Sequence, residues 1–258
     1  MPRLFRNHSL GSAFQRLSRL VRGVGVQKTF SLMVSYVDDQ HLKLFDRRYG
    51  IKTSGYISLA STSFATNRLP DATIYGPVNG WAFRKLLQEL NLPRSLHFVD
   101  LGCGLGRACI LAGEYGFEKV TGVELASELC AMAGKNIASC RLPAGKLTAI
   151  DIRQVDAMDF CGQTDGDVIF MFRPFTWAFL LSILDKLVER AASLGKPMIL
   201  IYSERMMHDD SYARAFSGNR AFRKLREVGM YGQAFFIYEC GTPIAKMEEG
   251  RSSKSAVV

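Results

Sequence analysis

The residues best placed to do chemistry in this chain are Asp100-Leu101-Gly102-Cys103-Gly104-Leu105-Gly106-Arg107. Three glycines alternate with other residues, and an acid stands two positions ahead of the first. Phe98 and Val99 before it are apolar, and an apolar helical pattern runs from Arg107 to about Tyr115. A strand, a glycine turn and a helix start make a site for an adenosine-type ligand. Glycines permit positive φ and close backbone approach, and the helix N-terminus presents N–H groups that have no helical partner. Dinucleotide enzymes space their glycines as G-x-G-x-x-G. Here the spacing is D-x-G-x-G-x-G, and the acid in front of it suits a ligand that carries a cationic ammonium group.

Further acids recur at strand ends. Lys119-Val-Thr-Gly-Val-Glu124-Leu125 reads as a buried strand ending in an acid. Glu124 lies about twenty residues past the glycines, the interval at which such folds place a ribose-binding carboxylate. Ile150–Val155 leads to Asp156-Ala157, and Asp167–Phe172 leads to Arg173-Pro174-Phe175. The order of glycine loop, Glu after strand two, Asp-Ala after strand three and X-Pro-Phe after strand four resembles the class I S-adenosylmethionine-dependent methyltransferases, over roughly residues 95–240. A Rossmann dehydrogenase is the competing reading. It fails on the glycine spacing and leaves Asp156 and the Pro-Phe pair without a role.

The resemblance implies S-adenosylmethionine as cofactor and a role for each matched position. Asp100 and the backbone of Gly102 and Gly104 hold its methionine part, within the turn that Gly106 completes. Glu124 accepts both ribose hydroxyls, and Leu125 packs on the adenine. Asp156 accepts from the exocyclic amine, unless it is a turn or cap residue and Asp159 takes that place, and the Ala157 backbone reads the ring. Phe172 closes the cofactor-binding set. Amine-methylating members often carry Asn or Asp where this chain has Arg173. An arginine cannot accept a hydrogen bond, so the usual device for positioning an amine is missing. Its planar fork of donors suits a carboxylate or phosphate. The expected acceptor is therefore a small anionic molecule, methylated on oxygen or nitrogen and held by Arg173, unless Arg173 pairs with an acid such as Asp38, Asp39 or Asp46. Tyr75 and Tyr49 are candidates for hydrogen-bonding the substrate, each against a packing role. Phe172, Phe175, Trp177 and Tyr75 can wall an apolar pocket, with a core role as the alternative for Phe175 and Trp177.

Upstream, the string Asp46-x-x-Tyr49-Gly50-Ile51-x-Thr53-x-Gly55 followed by Tyr75-x-Pro77 is similar to a group of bacterial class I members without assigned substrates. The Y-x-P element also resembles the non-SET protein-lysine methyltransferases. Protein-lysine methylation and non-catalytic cofactor binding are thus the alternative functions.

Composition narrows the field. The 258 residues suit one domain with appendages, and 48% hydrophobic content is ordinary for a globular chain. No apolar run is long enough for a membrane span. Six cysteines without C-x-x-C spacing read as reduced buried thiols, and four scattered histidines lack metal-ligand spacing, so no metal is expected. The net charge is +9, and residues 1–37 hold six basic residues and no acid. The body is left with no evident basic face, which argues against a nucleic-acid partner. Leu10, Phe14, Leu17, Val21 and Val24 fall at helical spacing with arginines on the other faces. That segment reads as a packed helix, a peripheral membrane contact through residues 1–28 or an organelle presequence. The expected location is cytoplasmic, with the membrane surface and an organelle as alternatives.

These residues need a scaffold that brings strand ends to one edge. The expected fold is α/β, a Rossmann-like, doubly wound seven-stranded sheet, mostly parallel with an antiparallel last strand, plus an N-terminal helical extension. Residues 1–60 are read as a basic helical extension and cap, 61–240 as the methyltransferase domain and 241–258 as a disordered tail. An amphipathic helix with Trp81, Leu86, Leu87 and Leu90 precedes strand one. Ser127 is expected to cap the helix after strand two. A helix at 176–193, a strand at Pro197–Tyr202, and strands Phe222–Val228 and Gln233–Cys240 complete the order.

Overall fold

The computed structural model describes residues 40–57, 75–142, 147–205, 212, 214–217 and 219–241. The basic helix expected at 10–24, Asp38, Asp39 and the tail after 241 lie outside the described residues. The chain divides into units of residues 1–41 and 42–258, and the sheet belongs to the second.

Helix α1 (helical over 40–49) comes first, and Phe45, Tyr49 and Ile51 from this region join the main core. Then follow α2 (Gly80–Leu90), β1 (His97–Leu101), α3 (Arg107–Tyr115), β2 (Lys119–Glu124), α4 (Ser127–Ser139), β3 (Ile150–Gln154), α5 (Ala157–Cys161) and β4 (Val168–Phe172). The chain continues through α6 (Trp177–Leu194), β5 (Met198–Arg205), α7 (Arg214–Ser217), β6 (Phe222–Met230) and β7 (Gln233–Cys240). Residues 42–57 thus pack in the same compact unit as the sheet.

The sheet order is β3-β2-β1-β4-β5-β7-β6. β7 runs antiparallel to both its neighbours, while β1 to β5 pair in parallel. This is the seven-stranded, mostly parallel, Rossmann-like arrangement with an antiparallel last strand that the motifs imply. Central strands are apolar on both faces because helices cover both, and β1 is buried along its whole length. Phe83, Phe98 and Phe170 pack together on one face, with α2 and α3; Ile183, Leu187 and Tyr202 lie on the other, with α6.

Local signals set the element ends. The Asn79 side chain accepts from Trp81 N and Ala82 N and starts α2. Gly116 and Gly195 end α3 and α6 in the left-handed region. Tyr231 and Gly232, both at positive φ, make the two-residue turn between β6 and β7. Ser127 does not cap α4 as expected. The cap position is Ala126, and the Ser127 hydroxyl is directed to Glu128. Glu124 accepts from the Leu125 and Ala126 amides just ahead of this helix. His97, at the start of β1, is fixed by Thr121 and Asp165 at 2.9 Å each.

Strand order reverses between β1 and β4, which go to opposite sides of the sheet. Such a switch point opens a crevice beyond the carboxyl ends of the strands, where ligands bind in open α/β sheets.

Candidate functional site

At that crevice the glycine loop leaves β1 and turns into α3. Gly102 N and Cys103 N both donate to Val123 O at 2.9 Å, tying the loop to β2. Gly106 N closes a turn onto Cys103 O, and Gly106 at φ +82° caps α3 without a side-chain acceptor. The N-terminus of α3 therefore has no side-chain cap. Gly102 and Gly104 have φ of +77° and +52°. A Cβ on Gly102 would stand 2.5 Å from Pro174 Cβ, and one on Gly104 would stand 2.3 Å from the Tyr75 ring. Both glycines are needed because other groups close directly onto the loop.

Two carboxyls flank it. Asp100 is 3% exposed, and the Cys109 thiol donates to it at 3.6 Å. Burial lifts its carboxyl from the ordinary 3.8 to about 7; the Cys109 contact opposes the rise and the nearby Glu124 charge adds to it. A buried acid with so little local stabilisation is suited to a cationic ligand group. Glu124 is also buried, and its carboxylate accepts from Gly104 N at 3.1 Å, Leu125 N at 2.8 Å and Ala126 N at 3.0 Å. Burial raises its pKa, and the three amides pull it back. Beyond the ribose role expected of it, this side chain staples the glycine loop to the end of β2.

The other strand ends converge on the same edge. Leu125 is half-buried after β2. Asp156 caps α5, with Oδ1 accepting from Met158 N at 2.8 Å, and Ala157 opens that helix. Asp159 is exposed in the helix's first turn. Phe172 ends β4 half-buried against the main core. Phe175 is buried and packs edge-on against Phe179, which makes it core, whereas Trp177 is more than a third exposed and meets Tyr212 edge-on. Arg173 takes φ +39°, a strained value for a residue with a side chain, and its guanidinium lies 4.3 Å from the Tyr212 ring centroid. Asp46, one of the acids considered for Arg173, is held by Arg107 instead.

Tyr75 and Tyr49 part ways. Tyr75 lies over Gly104 and donates its hydroxyl to Thr53 O at 2.9 Å, with Ile57 bridging its backbone. Tyr49 is 1% exposed, stacks on Phe45 and donates to Glu114 Oε2 at 2.7 Å. Glu114 is near the C-terminal end of α3, away from the glycine loop that precedes that helix. The structure thus sets Tyr49 apart from the glycine loop, with its ring packed on Phe45 and its hydroxyl committed to Glu114.

The residues around Tyr49 have a role that local reading missed. Arg107, 2% exposed, donates to Asp46 at 2.9 Å, Thr53 Oγ1 at 2.6 Å and Val78 O at 3.1 Å. Asp46 also accepts from Thr53 N at 2.7 Å and Ser54 N at 2.6 Å. Asn136 of α4 donates to Leu105 O and to Lys52 O, and accepts from Lys52 N. The Asp46–Thr53 string is thus a polar clamp that grips the first residue of α3 and the loop before it. An arginine opening an otherwise apolar helix was the available signal, since a buried guanidinium requires an acid.

Among the described residues, no group of His, Cys, Asp and Glu is arranged to hold a metal, and no helix is long and apolar enough to cross a membrane.

The family model for histone methylation protein DOT1 matches residues 57–143, about a third of the chain, with Tyr75, the glycine loop and Glu124 inside it. No curated protein matches. Similar solved structures include ribosomal protein L11 methylase from Lactobacillus delbrueckii subsp. bulgaricus, at 17% identity over 63% of this chain and 79% of that one, with a TM-score of 0.47. Magnesium protoporphyrin IX methyltransferase from Synechocystis PCC 6803 has 17% identity over 63% and 77%, with a TM-score of 0.47. An RNA methyltransferase from Salinibacter ruber, in complex with S-adenosyl-L-homocysteine, has 18% identity over 65% and 95%, with a TM-score of 0.48.

Proposed function

We propose that this chain, a class I S-adenosylmethionine-dependent methyltransferase, methylates oxygen or nitrogen of a small anionic molecule held by Arg173. The observation that carries the reading is the strained turn after β4. Arg173 is at φ +39° there, while the next residue, Pro174, closes over Gly102 of the cofactor loop. Strain of that kind persists only where surrounding structure holds it, and it clusters at functional sites. The turn therefore couples a cationic fork to the loop beside it.

When bound, the cofactor supplies a methyl group already activated by its sulfonium, so the protein's task is to orient the acceptor and exclude water. In this reading the Asp100 carboxylate faces the cofactor's ammonium, and the Gly102 and Gly104 backbone runs along its methionine part. Glu124 receives the ribose hydroxyls, Leu125 lines the adenine, Asp156 with the Ala157 backbone reads the ring edge, and Phe172 walls the pocket at the end of β4. Tyr75 bounds the loop from above. Arg173 grips the acceptor's anionic group without competing for its nucleophile, because it has no lone pair to offer.

The test is transfer of labelled methyl from S-adenosylmethionine into a cell extract separated into protein, nucleic-acid and anion-exchange small-molecule fractions. Label should enter the anion-exchange fraction. Arg173→Ala should raise the acceptor KM at least tenfold and leave cofactor affinity within about twofold, as expected for loss of a charge-assisted contact. A wild-type KM in that variant refutes the role of Arg173. The second reading, protein-lysine methylation, is favoured by the DOT1 family match, which includes Tyr75-Gly76-Pro77. Label confined to the protein fraction would select it.

A further inference from the structure

Three buried or half-buried tyrosines give their hydroxyl to the protein. Tyr49 donates to Glu114, Tyr75 to Thr53 O and Tyr115 to Leu92 O. Tyr202 does not. It is 0% exposed, and among the described residues its hydroxyl has no hydrogen-bond partner. An unsatisfied buried hydroxyl opposes folding, so each such group in a native structure asks for a reason. Its ring is well seated, tilted against Phe216 and Phe236. Phenylalanine would seat equally well.

The position of Tyr202 suggests the reason. It stands on β5 opposite Met171 of β4, and the next pair is Phe172 with Ser203. The strand end that carries Arg173 is therefore alongside. The Arg173 charge reaches the hydroxyl, as does that of Glu204. Burial, and then Glu204, keep the hydroxyl protonated while Arg173 pulls the other way. Tyr202 is thus a neutral donor, not a base. Glu204 is buried two residues further along the same strand face. Tyr212 stacks on Arg173 and meets Trp177, giving the neighbourhood aromatic walls.

We infer that the Tyr202 hydroxyl belongs to the acceptor site, donating a hydrogen bond to an oxygen of the same oxyanion, carboxylate or phosphate, that Arg173 grips. This rests on the reading of Arg173 given above. It adds a specificity-determining residue, because a neutral donor beside a guanidinium favours an anionic oxygen over an ammonium, against the opposing charge of the buried Glu204 carboxylate on the same strand face.

The experiment uses the full chain saturated with S-adenosylhomocysteine and three aromatic probes: benzoate, phenyl phosphate and benzylamine. Calorimetric titration of the wild type should show binding of at least one of the two anions and weaker or no binding of the amine. Whether benzoate or phenyl phosphate binds better identifies the oxyanion. Tyr202→Phe should bind that anion at least tenfold more weakly, the size expected for a charge-assisted bond. Its S-adenosylhomocysteine affinity should be unchanged, and its melting temperature equal or higher. A merely structural tyrosine would not combine these outcomes. Equal anion affinity in Tyr202→Phe overturns the inference, and so does a melting temperature lowered by several degrees, because either shows that the hydroxyl serves the fold. If Arg173→Ala weakens the anion and Tyr202→Phe does not, Tyr202 alone is refuted. If the anions do not bind the wild type, or Arg173→Ala leaves their binding unchanged, the reading of Arg173 falls and this inference with it.

Discussion

Cofactor binding should release a proton, and Asp100 is the group that loses it. In the free protein its carboxyl is pushed up from 3.8 to about 7, because burial and the nearby Glu124 charge outweigh the hydrogen bond that the Cys109 thiol donates at 3.6 Å. A neutral Asp100 is therefore favoured below about pH 7. The cofactor's ammonium favours the charged form, so binding below pH 7 must first ionise this acid. One proton released means affinity rising by up to about tenfold per pH unit below 7, or roughly 1.4 kcal/mol. The rise flattens above pH 7, and the ligand's own α-amino group, which titrates near 8 in peptides, limits it on the alkaline side. Stability of the free protein moves the other way. The unfolded chain ionises Asp100 near 3.8 and the folded chain only near 7, so stability falls as pH rises between those values and is level above them. The assay is calorimetric titration of S-adenosylhomocysteine from pH 5.5 to 7.5, in two buffers of different ionisation enthalpy. Wild type should gain affinity with pH and release close to one proton at pH 6. Asp100→Asn should bind weakly with no such slope, and should melt higher than wild type above pH 7 without ligand. A flat wild-type profile with no proton release would refute the assignment of Asp100 to the ammonium.

Arg107→Met leaves Asp46 buried without its 2.9 Å partner, and urea denaturation should show a loss of about 3–5 kcal/mol. Gly104→Ala puts a methyl group 2.3 Å from the Tyr75 ring at φ +52°. Cofactor affinity measured by calorimetry should drop roughly tenfold or more, since strain of this kind costs about 1–3 kcal/mol. Tyr49→Phe loses one hydrogen bond to Glu114, which Arg84 still engages at 2.8 Å. Denaturation should register about 1 kcal/mol or less, and kcat should not change; a large fall in kcat would return Tyr49 to the active site.

The parts of this account that were legible in the sequence are those whose signal is local. An apolar run ending in D-x-G-x-G-x-G fixes a strand, a turn and a helix start within ten residues, and the structure has all three there. Strand-end acids could be read because the fold repeats strand and helix, so each strand's last residue faces the same crevice. What escaped is chemistry between distant positions. Arg107 and Asp46 are 61 residues apart, and no spacing rule links them. The Asp46-x-x-Tyr49-Gly50-Ile51-x-Thr53 string carries hydroxyls and an acid, which read as a substrate contact at Tyr49, yet Asp46 and Thr53 turn inward to hold Arg107 and Tyr49 turns to Glu114. Asp156 was expected at the adenine, and its side chain caps α5, a second use that sequence cannot separate from the first. The left-handed backbone at Arg173 had no local signature, because neither Arg nor a following Pro favours it.

The central claim is that the acid–glycine loop and Glu124 form an S-adenosylmethionine site, and calorimetric titration of S-adenosylhomocysteine into wild type and Glu124→Gln tests it most directly. Glutamine keeps the side chain's length and an acceptor oxygen for the Gly104 amide, so the loop should stay stapled and the melting temperature should hold within a few degrees. The account expects one-to-one binding by the wild type and an affinity at least tenfold lower in Glu124→Gln, since hydrogen bonds to a charged group contribute about 1.5–3 kcal/mol each. No binding by the folded wild type, or equal affinity in the two proteins, would contradict it.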